Sequence, residues 1–409
     1  MLVAFLARQA IRQGTLEVIH ADGRRTVAGN GKEPRFVIRL HDRSLDWKLA
    51  LNSRLRVPEA YMDGTLTLEE GADLREFLAF IAKNLAMADA ITERKPLWRL
   101  INRLVRQRNP IGRARENVAH HYDLSGELYD LFLDQDRQYS CAYFNEQKDD
   151  LERAQHDKKV HIAAKLMLDR EGLRVLDIGS GWGGMGLFLA RETGADVTGV
   201  TLSVEQHKRS EERAKAAGLA RHCRFKLQDY REEKGPYDRI VSVGMFEHVG
   251  KRNYDEYFAK VRDLLTEDGV CLMHTIGRFD MPSPINPFIR KYIFPGADLP
   301  SLSEVMASVE RVGLLVTDLE ILRLHYAETL RHWYERVQAN RAKIVQLYDE
   351  RFLRMWEMYL ASCEMAFRHQ GLMVLQVQLA KKVDALPITR DYMVDWERSR
   401  AQAQRLAAE

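Results

Sequence analysis

The stretch with the most specific chemistry is Val175-Leu-Asp-Ile-Gly-Ser-Gly-Trp-Gly-Gly184, where a strand-like run carrying Asp177 opens into four glycines and a tryptophan. Glycines at this spacing permit a tight turn and close approach of the backbone to a ligand. A glycine loop by itself is shared with nicotinamide-binding proteins. Two features favour S-adenosylmethionine (SAM) instead. Asp177 stands just before the glycines. Where a nicotinamide site would place an acidic residue, about twenty residues on, the chain has Thr201-Leu-Ser-Val-Glu-Gln206. No Lys-Ser/Thr pair follows the loop, which excludes a P-loop. Further on, Glu247 and His248 follow one strand-like run and His274 ends another, and ligand sites of open α/β sheets lie at such strand ends. Taken singly, several of these side chains have plain alternatives. His248 can simply shape a turn, and Tyr326 can be an ordinary amphipathic packing residue. Cys363, within Leu360-Ala-Ser-Cys-Glu-Met-Ala-Phe367, reads as a small buried apolar group.

These positions need a scaffold, and the pattern supplies one. Strand-like runs at 174–178, 196–202, 224–227, 239–243 and 270–275 alternate with helix-like segments at 183–192, 203–217 and 253–265, the order of a doubly wound α/β sheet. Residues 299–370 read as mostly helical, interrupted by a strand-like 314–322, and 372–379 is a further strand candidate. Ahead of this block, residues 1–92 form a small α+β unit, with strand-like 16–19 and 35–40 and helical spacing over 72–85. Leu2, Phe5, Leu6 and Ile11 suit a short amphipathic helix. Residues 93–118 form a basic amphipathic linker. Its Glu93–Glu116 stretch has eight Lys or Arg against two Glu, and it reads equally as a membrane-surface helix or a solvated linker helix. Residues 119–390 are the main domain, and 391–409 is a polar tail expected to fray.

Composition narrows the class. The 409 residues carry a net charge of +3 with 45% hydrophobic and 30% charged residues, an ordinary globular balance that gives no sign of a nucleic-acid partner. The opening Met-Leu-Val-Ala-Phe-Leu-Ala is broken by Arg8, too short for a secretory signal, and no run approaches the roughly 18 apolar residues of a membrane span. Cys141, Cys223, Cys271 and Cys363 are widely spaced with no CxxC pair, so free thiols in a cytoplasmic setting are expected, with no metal site.

Longer motifs then converge. They include His120-His-Tyr-Asp-Leu-Ser125, Gln138-Tyr-Ser-Cys-Ala-Tyr-Phe144, the glycine loop, Asp238–Gly250, His274-Thr-Ile-Gly277, Ile285–Pro300, His325–Val337 and Ala361–Arg368. In this order, over nearly the whole chain, they resemble the cyclopropane-fatty-acid-phospholipid synthases, relatives of the mycolic acid cyclopropane synthases. The resemblance implies a class I SAM-dependent methyltransferase fold preceded by a sterol-carrier-like, lipid-engaging N-terminal domain. It implies a SAM site made by Tyr139, Ser140, Gly179, Gly181, Trp182, Gly183, Gly184, Thr201, Gln206, Asp229 and Tyr230. It implies a bicarbonate ion held by Glu247, His274 and Tyr326 and by backbone groups of Cys141 and Ile276, with a proposed catalytic role for Cys363. The implied partners are an unsaturated phospholipid, an anionic membrane surface at the inner face of the membrane, and a second copy of the chain.

The chemistry explains the residue types. An alkene is a poor nucleophile and attacks the SAM methyl only if the two are held in line and close. The carbocation that follows must be kept from water, among apolar and aromatic walls for which Tyr143, Phe144, Phe246, Tyr292 and Trp333 are candidates. A base then removes a proton so that the ring closes. Two other readings compete: a lipid methyltransferase leaving a methyl or methylene branch, and a non-catalytic lipid-binding protein.

Overall fold

Apolar strands flanked by amphipathic helices build two compact units, each with its own core. A computed structural model of the chain describes residues 2–91, 124–146 and 148–408. The basic linker expected at 93–118 lies outside the described residues, as do residues 120–123 of the His-His-Tyr-Asp motif. The first unit draws on Met1–Arg99, Ile285–Pro295 and Ala327–Leu372, and the second on Leu100–Pro284, Gly296–Tyr326 and Met373–Glu409. The sequence pattern groups 119–390 as one block, whereas here two segments of that block join the N-terminal residues.

The first unit contains a four-stranded sheet in the order β2-β1-β3-β4, formed by β1 (Thr15–Ile19), β2 (Arg25–Gly29), β3 (Arg35–Leu40) and β4 (Leu66–Leu68). Strand β1 pairs antiparallel with β2 and parallel with β3. Strand β2 is exposed over most of its length, so it carries no apolar alternation that a sequence reading can detect. Leu16, Val18, Phe36, Ile38, Phe77 and Phe80 form the core, with the Phe36 ring 5.1 Å from that of Phe80. Buried carboxylates attach the late helix Glu350–His369 to the N-terminal block. Glu364 is fully buried and accepts from Arg75 Nε and Nη2 at 2.7 and 2.8 Å and from Arg368 at 2.9 Å. Glu357 accepts from the Tyr61 hydroxyl at 3.2 Å. Trp356 and Tyr359 are buried in the same helix.

The second unit is built on a seven-stranded sheet of β5 (Arg174–Ile178), β6 (Asp196–Thr201), β7 (Cys223–Leu227), β8 (Tyr237–Val243), β9 (Leu265–Arg278), β10 (Leu315–Ile321) and β11 (Leu372–Ala380), in the order β10-β11-β9-β8-β5-β6-β7. Strands β5 to β9 run parallel, and β10 pairs antiparallel with β11. Successive side chains of a strand face opposite sides. Val175 accordingly joins a core with Val197, Phe225 and Leu189, while Leu176 joins a second core with Ile240, Phe258 and Leu375. Phe246, a candidate lipid-facing wall residue, belongs to that second core. It is fully buried, with its ring 4.5–5.4 Å from Tyr254, Tyr257 and Phe258.

The tail read as fraying is instead a helix, Asp391–Ala408. Met393 is buried, Trp396 packs against the Val175 core, and Arg400 donates to the Glu192 carbonyl at 2.6 Å. Two well-spaced apolar side chains anchor a segment whose mean composition is polar. Among the described residues no helix is long and apolar enough to cross a membrane.

Candidate active site

After β5 the chain moves outward to β6 and β7, then returns to place β8 on the other side of β5. The loops leaving β5 and β8 therefore diverge, and a crevice opens at the carboxyl ends of the strands. A cleft of about 1350 Å³, counted out to open solvent, lies there. Residues at the end of or following β5 (Gly179–Trp182, Gly184), β6 (Thr201, Leu202, Gln206), β7 (Gln228–Arg231) and β8 (Gly244, Met245) line it, together with the strap Arg137–Ser140.

Ten of the eleven expected cofactor residues line this cleft: Tyr139, Ser140, Gly179, Gly181, Trp182, Gly184, Thr201, Gln206, Asp229 and Tyr230. Gly183 does not. It has φ +81° at the start of helix Gly184–Thr193, and a Cβ there would come within 2.8 Å of Phe225 and 2.9 Å of Ser210. Its role is to let the loop pack on the sheet. Gly184 is bare for a different reason, since a Cβ would meet Gln138 Nε2 at 2.3 Å and Asp136 Oδ2 at 2.5 Å. The strap can cross the helix start only over a glycine.

Hydrogen bonds fix the polar lining. Thr201 Oγ1 donates to Gln206 Oε1 at 3.0 Å, and Ser203 caps the following helix by accepting from the Gln206 amide at 3.3 Å. Asp229 accepts from Arg231 Nε and Nη2 at 2.8 and 2.7 Å. Asp177 is buried, and burial pushes its carboxyl up to about 7. Asp177 Oδ2, Ser180 Oγ and Trp182 Nε1 have no hydrogen-bond partner among the described residues. A lining with spare buried donors and acceptors fits a cofactor that has an amino-acid end and a ribose.

Two buried residues behind the strap were missed by the sequence reading. Lys158 is fully buried and donates to Gln138 Oε1 at 2.7 Å and Ser140 Oγ at 2.8 Å. Gln155, one turn earlier on helix Leu151–Lys165, donates to the Gln138 and Ser140 carbonyls at 3.2 and 3.0 Å. Burial lowers the Lys158 ammonium to about 8 despite the opposing charge of the Asp134 carboxylate. The only sequence signal is the i, i+3 spacing of two polar residues in a mixed helix.

The expected catalytic positions divide between the units. Cys141, Glu247, His274, Ile276 and Tyr326 belong to the second unit, and Cys363 belongs to the first. Cys363 is half-buried on helix Glu350–His369, does not line the cleft, and burial raises its thiol to about 12. Cys141 and Tyr326 are buried, and the Cys141 thiol donates to the Ala142 carbonyl at 3.3 Å.

Strand pairing brings the other three together. Val243 is in register with His274, and the Gly244 amide donates to the His274 carbonyl at 2.9 Å. The 3₁₀ turn Phe246–His248 then points Glu247 back at β9, where Glu247 Oε1 accepts from the Ile276 amide at 2.6 Å. The Ile276 N–H expected to meet an anion is thus engaged by Glu247. Glu247 Oε2 is buried with no hydrogen-bond partner among the described residues, and burial pushes the carboxyl up to about 7. His274 is 2% exposed, and its Nδ1 lies 3.2 Å from Gln376 Nε2. Burial first, then the charges of Lys158, Lys165 and His161, hold it well below the usual imidazole range, so it is neutral. His248 lines the cleft and is also neutral, lowered to about 4 by burial.

A doubly wound sheet with this loop and this cleft defines a class I SAM-dependent methyltransferase. The chain belongs to the mycolic acid cyclopropane synthetase family, whose pattern matches residues 111–377. It is 43% identical over 264 residues to the cyclopropane-fatty-acyl-phospholipid synthase of Escherichia coli, covering 64% of this chain and 67% of that protein. It is 34% identical over 399 residues to the tuberculostearic acid methyltransferase UfaA1 of Mycobacterium tuberculosis, covering 92% of this chain and 90% of that one. Among solved structures, mycolic acid cyclopropane synthase CmaA1 in complex with SAH and CTAB superposes with a TM-score of 0.62 at 34% identity, over 66% of this chain and 99% of that one.

Proposed function

We propose that this enzyme transfers the SAM methyl group to the cis double bond of an unsaturated phospholipid acyl chain and closes a cyclopropane ring. The E. coli relative carries that activity in its name. The observation that carries the reading is the buried pair of Glu247, on the 3₁₀ turn after β8, and His274 on β9: Glu247 is next in sequence to the cleft-lining His248, and His274 is in register with the cleft-lining Val243. His274 is neutral at pH 7 and burial raises Glu247 to about 7, so below that pH both side chains are uncharged, which suits a site that shelters a carbocation from water and receives one small anion.

The residues that would hold the cofactor are those lining the cleft, with Tyr139 and Ser140 on the strap and Thr201 and Gln206 after β6. A bound bicarbonate would supply the base that takes the proton of the transferred methyl. In its protonated form Glu247 can donate from Oε2 to that anion while Oε1 accepts from Ile276. This accounts for a carboxyl group beside a negative charge. His274, Tyr326 and the Cys141 backbone are the remaining donors. The products balance: one methyl leaves SAM, two new C–C bonds form, and one proton is lost.

A second reading, a methyl or methylene branch in place of the ring, is favoured by the relative named for tuberculostearic acid, which matches 92% of this chain. SAM with a trideuterated methyl separates the two. A cyclopropane keeps two deuteriums and resists hydrogenation. A methylene branch keeps two but hydrogenates. A methyl branch that keeps three overturns the proton-abstraction step.

The reading extends to a dimeric enzyme held at the inner membrane surface. Leu2 and Phe5, each more than half exposed on helix Leu2–Ala10 beside Arg8, support contact with an anionic bilayer. Flotation with anionic vesicles, lost at high salt, and a dimeric mass in ultracentrifugation are the expected results.

A further inference from the structure

A neutral imidazole can donate to an anion from one nitrogen only, and which one depends on what the other nitrogen meets. Among the described residues, the His274 Nδ1 meets the side chain of Gln376 at 3.2 Å. Strand β11 lies between β10 and β9, so Gln376 reaches across from the neighbouring strand. It is fully buried, its Oε1 has no partner among the described residues, and its amide nitrogen is the atom directed at the ring. A buried amide in the run Leu372-Met-Val-Leu-Gln-Val-Gln-Leu-Ala380 needs a reason, because desolvating it without full satisfaction is costly.

The identity of the residue is informative. Histidines in functional sites are commonly oriented by a carboxylate, which accepts from Nδ1–H and stabilises the imidazolium. A carboxylate at 376 would therefore leave Nε2 as an acceptor or charge the ring. A glutamine amide does the opposite, because its N–H donates to Nδ1 and leaves the proton on Nε2.

We infer that Gln376 is a positioning residue that locks His274 as the neutral Nε2–H tautomer, so that the ring presents a hydrogen-bond donor to the small anion in the site. The inference rests on the proposed function for what His274 faces, but the tautomer itself can be read without any turnover. The burial that keeps His274 uncharged makes the lock effective, since no third, doubly protonated form competes.

The experiment is nitrogen NMR on the full chain labelled with ¹⁵N-histidine at neutral pH, with the His274 signals identified by their loss in His274→Asn. The expected result is an unprotonated Nδ1 and a protonated Nε2. A protonated Nδ1, or an imidazolium, overturns the proposal. In Gln376→Glu the pattern should reverse, with protonation moving to Nδ1, and an unchanged pattern overturns the proposal too. Gln376→Glu should also raise the KM for bicarbonate or lower kcat by roughly 10- to 100-fold, the range typical of an orienting partner, with SAM affinity measured by calorimetry unmoved. A loss of SAM binding in parallel would mean a general structural effect and count against the assignment. If His274→Asn keeps full bicarbonate-dependent turnover while the wild-type tautomer is as stated, the proposed function of His274 fails and the tautomer lock stands.

Discussion

Glu247→Gln tests the central electrostatic claim without measuring catalysis. The wild-type carboxyl is buried against Ile276, and its ionisation is pushed from 4.5 up to about 7. Each unit is worth about 1.4 kcal/mol, so the ionised form is disfavoured in the folded state by about 3 kcal/mol. The sign follows from proton counts. Between pH 4.5 and 7 the unfolded chain has released this proton while the folded chain keeps it, so folding stability from this group falls as pH rises and levels off above 7. Glutamine preserves the shape and the acceptor for the Ile276 amide but does not titrate. Relative to wild type, Glu247→Gln should therefore gain about 3 kcal/mol between pH 4.5 and 7, read from urea unfolding at a series of pH values. Turnover should fall at the same time, because the proton that meets the anion is replaced by an amide. A stability difference that is flat with pH would refute the reasoning, since it would mean Glu247 is as easily ionised when folded as when unfolded.

Lys158→Met strips Gln138 Oε1 and Ser140 Oγ of their donor. At about 1–3 kcal/mol for an unsatisfied buried group, SAH affinity by calorimetry should drop about tenfold, and an unchanged Kd would remove the strap from the cofactor site. Arg75→Ala leaves the fully buried Glu364 with Arg368 alone, and the unfolding free energy should fall by up to about 3–5 kcal/mol. A loss within the scatter of the urea titration would show the pair to be dispensable. Cys363→Ala should keep turnover within about threefold, because a thiol raised to about 12 holds almost no thiolate at neutral pH, whereas a loss near a hundredfold would restore a catalytic role.

Much of the cofactor side was legible in one dimension. The loop Gly179–Gly184 declares itself because the need for a bare backbone restricts residue type at fixed spacing, and the buried parallel strands β5, β6 and β8 declare themselves as short apolar runs. Ten of the eleven cofactor residues that the family resemblance implies line one cleft. Gly183 shares the loop's spacing but answers to Phe225 and Ser210, a packing demand indistinguishable in sequence from a ligand demand. The tail helix was hidden because Met393 and Trp396 are too few to lift a polar average.

What the sequence determined by itself is the local part: the order of strands and helices, the glycine loop, and the residue types that can do methyl-transfer chemistry. Tertiary structure decided the rest. It set Glu247 on the Ile276 amide, Gln376 on His274 and Lys158 behind Ser140, pairs separated by 29, 102 and 18 residues. It also placed Cys363 in the other compact unit. The physical reason is that protonation and tautomer depend on desolvation and on the one group within hydrogen-bond reach, and both are properties of packing between distant segments rather than of any segment alone.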